Sequence, residues 1–182
     1  MRLDGKVTLI TRVSQYMRPA FTKTFTEAGA VVCAQDRTRA DAEPHAECAS
    51  KNPGGGLILE ADLTKPKDVE PCSAPSIEQF GRIDILVSNH GIVESIPFDE
   101  IDEERVDHVF QQNFFSFCRV NRSAVTRMKN QGGGKIVAVT GLAGITGAAT
   151  LLTQIVDACR RPSYRSTPHP EERRTRGSRP SV

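Results

Sequence analysis

Two histidines in this sequence stand four residues from a glutamate: His90 before Glu94, and His108 after Glu104. On a helix that spacing puts both side chains on one face, where an imidazole and a carboxylate can share a proton or a metal. Each pair supplies only two ligands and no third is evident, so no metal site is expected. The five cysteines, Cys33, Cys48, Cys72, Cys118 and Cys159, are widely spread and show no C-x-x-C spacing. They read as free thiols, not as a disulfide framework or a zinc site. A tyrosine can act as acid or base near neutrality only where a nearby cation lowers its pKa from about 10. The two tyrosines are Tyr16 and Tyr164; neither has a lysine four residues later, and no lysine follows Lys135.

Apolar runs alternating with amphipathic ones must position these groups. Val7-Thr8-Leu9-Ile10 reads as a buried strand, and residues 20–28 as a helix closed by Gly29. Residues 30–34, 57–61, 83–87 and 135–139 repeat the strand pattern. Helical stretches run over 39–50, over 66–80, and from a cap at Asp102 to about Met128. Pro44 weakens the first of these, and Pro71 and Pro75 should damage the interior of the second. Residues 53–56 and 132–134 are glycine-rich turns, and residues 148–158 form a short apolar stretch with a helical reading. Phe110, Phe114, Phe115 and Phe117 cluster on the long helix, where core packing accounts for them. Near-continuously apolar strands separated by helices imply an α/β fold. The expected architecture is a doubly wound parallel sheet of about five strands, order 3-2-1-4-5, covered on both faces.

Composition narrows the function classes. The chain has 182 residues, enough for one domain with a core, and 38% of them are hydrophobic. It holds no run of about 18 apolar residues, so no membrane span is expected. Met1-Arg2-Leu3-Asp4 is unlike a signal peptide, which makes a cytoplasmic location the default. The net charge of +2 is unevenly spread: residues 160–182 carry seven Arg and two Glu, leaving the rest net negative. That segment has almost no apolar content and is expected to be a disordered basic tail. A basic run can bind nucleic acid, but Tyr164 is its lone aromatic, and no nucleic-acid partner is expected.

The order of landmarks resembles the short-chain dehydrogenase/reductase family over roughly residues 3–150. Gly5 to Thr11 looks like its opening strand, and Phe25 to Val32 like the end of its first helix and its second strand. Asp62-Leu63 is similar to its acidic dipeptide after strand three. Ser88-Asn89-His90-Gly91 resembles its Asn-Asn-Ala-Gly motif, with Ser88 and His90 as departures. Asn113 falls on its helix-four catalytic Asn, and Gly134 to Val137 resembles its fifth strand.

The resemblance implies NAD or NADP as cofactor and a small carbonyl or alcohol as substrate. Asp36 stands where an acid can bond the ribose 2′-OH, and Arg37 where a cation can accept a 2′-phosphate. Asp62, Leu63, Asn89 and Gly91 complete the cofactor-binding residues it implies. Asp36 and Asp62 are also readable as cap or turn residues, Asn89 as a turn residue, and Asn113 as a plain polar helix position.

The family's catalytic devices are altered. Its glycine-rich turn lets the backbone approach the pyrophosphate at a helix N-terminus. Here Arg12, Tyr16 and Arg18 stand in the three glycine slots, and no glycine lies between Gly5 and Gly29. Arg12 and Arg18 can hold phosphate by charge but cannot restore the close approach. The catalytic Ser, Tyr and Lys slots fall on Gly141, Gln154 and Ala158, and Thr140 beside the Ser slot would point to the other strand face. The expectation is an oxidoreductase of this family by descent with little or no activity. A non-catalytic nucleotide binder, or a structural protein dimerising through helix four, is the alternative. Residues 1–159 would form a partial Rossmann-fold NAD(P)-binding domain and residues 160–182 the tail. The family's C-terminal strands would be missing, leaving an exposed strand edge and the capacity to form homo-oligomers.

Overall fold

A computed structural model describes residues 2–14, 18–50 and 55–141. The strands are β1 (Val7–Thr11), β2 (Val31–Asp36), β3 (Gly56–Glu60), β4 (Ile85–Ser88) and β5 (Lys135–Ala138). The helices are α1 (Arg18–Glu27), α2 (Arg39–Ser50), α3 (Pro66–Phe80), α4 (Glu103–Phe110) and α5 (Ser116–Asn130). Among the described residues the strands form one parallel sheet in the order β3-β2-β1-β4-β5, as the alternating pattern implies.

Period-two alternation sorts the strand side chains into two layers. Val7, Leu9, Val31, Cys33 and Leu86 pack with Val69 and Cys72 of α3 and with Val120, Ala124 and Met128 of α5. Ile10, Val32, Ala34, Ile85 and Val87 pack on the other face with Ala42 of α2 and with Phe21 and Phe25 of α1. β1, β2 and β4 are buried throughout, because each has a neighbour on both sides and helices on both faces. Burial of each large side chain, such as Leu9, Ile10 or Leu86, contributes roughly 1.5–3 kcal/mol.

The edge strand β5 differs. Ile136 is 38% and Val137 47% exposed, and consecutive strand residues point to opposite faces. Both faces of β5 therefore carry open apolar surface.

Two helices depart from the sequence expectation. α3 runs unbroken through Pro71 and Pro75. The carbonyls that lose an amide donor belong to Lys67 and Pro71, both exposed, so water can replace the bond. The buried stripe of Val69, Cys72, Ser73 and Ser76 holds the helix on the sheet, and Gly81 ends it at φ 72° with its amide bonded to Ile77 O. The single helix expected from Asp102 is two. Asp102 caps α4 by accepting from the Arg105 amide, but residues 111–115 widen into a π turn before α5 begins. Asn113 sits in that turn.

Candidate functional site

Parallel strands bring their carboxyl ends to one edge of the sheet. In the order found here the connections reverse direction between β1 and β4, which opens a crevice at those ends. The segments after β1, β2, β3 and β4 form its walls.

After β1 the chain turns at Arg12, whose φ of 54° makes it the one non-glycine residue with positive φ among those described. A left-handed L-residue costs about 1–2 kcal/mol. Hydrogen bonds to the end of β2 hold it there. The Arg12 amide donates to Gln35 Oε1 at 3.2 Å, the Val13 amide to Gln35 O at 3.1 Å, and the Ser14 amide to Asp36 Oδ2 at 2.9 Å. The Arg12 guanidinium reaches across to the Gly91 carbonyl, 3.4 Å away. The slot thus keeps the conformation a glycine would favour while carrying a long cationic side chain. Of the other two slots, Arg18 opens α1 and Tyr16 lies outside the described residues.

Asp36 is 2% exposed, and both carboxylate oxygens are engaged. Oδ2 accepts from Ser14 and Oδ1 from the Arg37 amide at 2.8 Å. Arg37 itself is exposed and donates to Gln112 of the π turn, closing one end of the crevice. Asp62 is more open. Its Oδ1 accepts from the Thr64 amide at 3.1 Å and the Thr64 hydroxyl at 2.7 Å, and Lys65 Nζ lies 3.5 Å from Oδ2. Partial burial works to raise its pKa. The two Thr64 bonds, with Arg37 and Lys65 nearby, outweigh that and hold it below the usual carboxylate value. Leu63 is buried beneath.

At the end of β4, the Thr11 hydroxyl accepts from the Asn89 amide at 3.0 Å and lies 3.0 Å from His90 Nδ1. His90 is 4% exposed and lines the crevice with Arg12. The Asn89 side-chain nitrogen is buried and has no hydrogen-bond partner among the described residues. Gly91 presents its carbonyl to Arg12, as above. Asn113, 2% exposed, accepts from the Ile92 amide at 2.7 Å and donates to the Ile92 carbonyl at 2.9 Å. It ties the β4 loop to the π turn. Gly141 is the last described residue on the far wall and brings no hydroxyl. Gln154, Ala158, Tyr164, residues 148–158 and residues 160–182 lie outside the described residues.

The histidine pairs come apart in the fold. His108 Nε2 lies 3.7 Å from Glu94 at the surface, while His90 turns inward to Thr11. Among the described residues no group of three or more His, Cys, Asp or Glu is placed to hold a metal. No helix among them is long and apolar enough to cross a membrane.

Between Arg12, Gln35, Arg37, Asp62, His90 and Gln112 the cavity volume is about 10 Å³. That is room for about one water. Small-molecule sites typically run to about 300–1,000 Å³.

Gln35 is the residue the sequence reading missed. It is 1% exposed, takes the Arg12 amide, and donates to the Ala61 carbonyl at 2.9 Å, so one side chain joins the ends of β1, β2 and β3. Its signal was a glutamine ending an otherwise apolar run. Gln112 and Arg119 were also missed; Arg119 donates to the Thr64 carbonyl at 2.9 Å and braces the π turn through Gln111.

A doubly wound sheet with these landmarks at its carboxyl edge defines a class, and comparison with known proteins identifies it. Residues 6–152 match the family model for short chain dehydrogenase, and the chain belongs to that family. It is 34% identical over 147 residues to an uncharacterized oxidoreductase of Thermotoga maritima, covering 81% of this chain and 58% of that one. It is 31% identical over 144 residues to the 7alpha-hydroxysteroid dehydrogenase of Escherichia coli K12, covering 79% and 56%. A 7α-hydroxysteroid dehydrogenase solved with NADH and 7-oxo glycochenodeoxycholic acid superposes with a TM-score of 0.80 at 25% identity, covering 87% of this chain and 62% of that one. The chain thus spans under three-fifths of the length of these two curated relatives.

Proposed function

We propose that this member of the short-chain dehydrogenase family has little or no dehydrogenase or reductase turnover by the family's route. The observation that carries this reading is Arg12. Its side chain lies across the ends of β1 and β4, bonded to Gly91, where a dinucleotide's pyrophosphate would cross. The residues present do not fit NAD or NADP in that pose. The Asp36 carboxylate is already shared between two backbone amides and is out of reach of a ribose. The cavity beside it holds about one water. The sequence adds that no Tyr-x-x-x-Lys pair exists anywhere in the chain. The test is spectrophotometric: NADH or NADPH consumption by the purified chain over a panel of small ketones. The expected rate is background; turnover that follows the protein through repeated purification overturns the reading.

A second reading, a non-catalytic nucleotide binder, draws on a different observation. The buried Asn89 amide nitrogen has no partner among the described residues, and Asp62 stays charged on the rim beside Arg37. An adenosine would have to lie on the Asp62–Leu63 rim and not inside the cavity, which holds about one water. Calorimetry with NAD, NADP and AMP decides it: binding of AMP together with failure of NAD separates this reading from a working cofactor site, and absence of heat with all three ends it.

A further inference from the structure

A groove on α4 lies outside the crevice. It has a volume of about 390 Å³ and an apolar floor of Ile101, Val106, Phe110 and Phe115. Asp102, Glu103 and Asp107 rim it. Phe115 is 40% exposed in its mouth. Residues 94–107 contain seven acids against one arginine. Arg105 answers Asp102 at 3.6 Å and His108 lies beside Glu94, while Glu103, Glu104 and Asp107 face solvent.

The chain itself contains a segment of matching chemistry. Residues 160–182 hold seven Arg, two Glu and no Lys, with Tyr164 and four prolines among them. Guanidinium groups pair with carboxylates and also stack on aromatic faces, which an ammonium does less well. Arg119 already lies 5.7 Å from the centroid of the Phe115 ring. A carboxylate rim around an aromatic floor is therefore suited to arginine in particular. The chain from Gly141 to Arg160 has a contour length of about 60 Å. Tethering also makes the encounter intramolecular, at an effective concentration of order millimolar.

We propose that residues 160–182 dock through their arginines into the acidic, aromatic-floored groove of α4 in the same chain. The interaction is salt-sensitive and masks the Phe115 patch. It goes beyond the reading of the crevice and stands or falls separately from it.

The test uses the full chain. Cys48, Cys118 and Cys159 are replaced by serine, Ser178→Cys is introduced, and a nitroxide is attached at that position. The expected result is selective loss of amide signal intensity over residues 102–110. That loss should disappear at high salt and in the Glu103→Gln, Asp107→Asn variant. Three outcomes overturn the proposal. One is no selective loss. Another is loss indifferent to salt and to the two substitutions. The third is loss only when a nitroxide-bearing chain is mixed with a separately isotope-labelled one, which assigns the groove to a second copy.

Discussion

The Ser14 amide donates to the Asp36 carboxylate at 2.9 Å, and this contact pins the chain after β1 to the end of β2. A hydrogen bond to a charged acceptor contributes about 1.5–3 kcal/mol, more than one to a neutral group. Asp36→Ala removes the acceptor for two amides and should lower unfolding free energy by about 2 kcal/mol or more. Asp36→Asn keeps one acceptor oxygen and should cost less. Urea denaturation of both variants checks the order. An alanine variant as stable as the parent would mean that Asp36 is not a brace.

Arg12 makes a second prediction because its backbone is left-handed. Alanine keeps the strain and loses the bond to Gly91, whereas glycine relieves the strain. Arg12→Gly should therefore be more stable than Arg12→Ala by roughly 1 kcal/mol, before the greater chain entropy of glycine is counted. An alanine variant clearly more stable than the glycine one in chemical denaturation would contradict the φ of 54°.

Asn113 joins the π turn to the β4 loop through both of its polar atoms. Asn113→Leu keeps the volume but strands the part-buried Ile92 amide and carbonyl. The expected loss is about 2–3 kcal/mol, with faster hydrogen exchange at Ile92. Unchanged exchange at that amide would show that the two bonds do not hold the loop.

Two buried thiols predict a pH dependence. Burial pushes Cys33 up to about 11 from 9.0, partly offset by the nearby Ser76 hydroxyl. Burial, then the neighbouring Cys33 and Asp68, pushes Cys72 up to about 12. A thiol whose pKa is raised by folding holds its proton in the native state while the unfolded chain has lost its own. That stability is complete below the unfolded pKa and falls as pH climbs toward the folded one, by at most about 1.4 kcal/mol per unit for each thiol. Urea midpoints should fall between about pH 8.5 and 11, and less so in Cys33→Ala, Cys72→Ala. In native protein at pH 8, peptide mapping after alkylation should find the exposed Cys118 modified and these two untouched. Modification of all three at equal rates would refute the burial.

Much of this architecture was legible from residue order. Runs such as Val-Val-Cys-Ala-Gln-Asp have no polar alternation, which a doubly covered strand tolerates, and the strand order is one of those the doubly wound class adopts. What hydropathy could not carry were long-range polar contacts. Nothing local distinguishes a glutamine that links three strand ends from one on the surface, so Gln35 was overlooked. The π turn was invisible for a similar reason: Asn113 matches a helical pattern, and its partner Ile92 lies 21 positions away. Asp36 ends β2, which runs further at that end than the apolar run suggests, and the amides it accepts from include Ser14 on another segment, which no local pattern reveals. The helix-breaking tendency of Pro71 and Pro75 was overridden where the residues that lose a donor, Lys67 and Pro71, are exposed, while Val69, Cys72, Ser73 and Ser76 hold the helix on the sheet.

The central position of β1 has a consequence for how the protein is made. Its Val7 amide bonds Asp84, 77 positions further along, and Thr8 pairs with Ile85. During synthesis β1, β2 and β3 leave the ribosome before β4, so the β4-facing flank of β1 stays unsatisfied until β4 has followed. Closing so long a loop is slow relative to local folding. Substitutions in residues 84–87 should therefore lower the yield of native chain more than their effect on the finished fold, while changes in β3, whose neighbour β2 is already in place, should not.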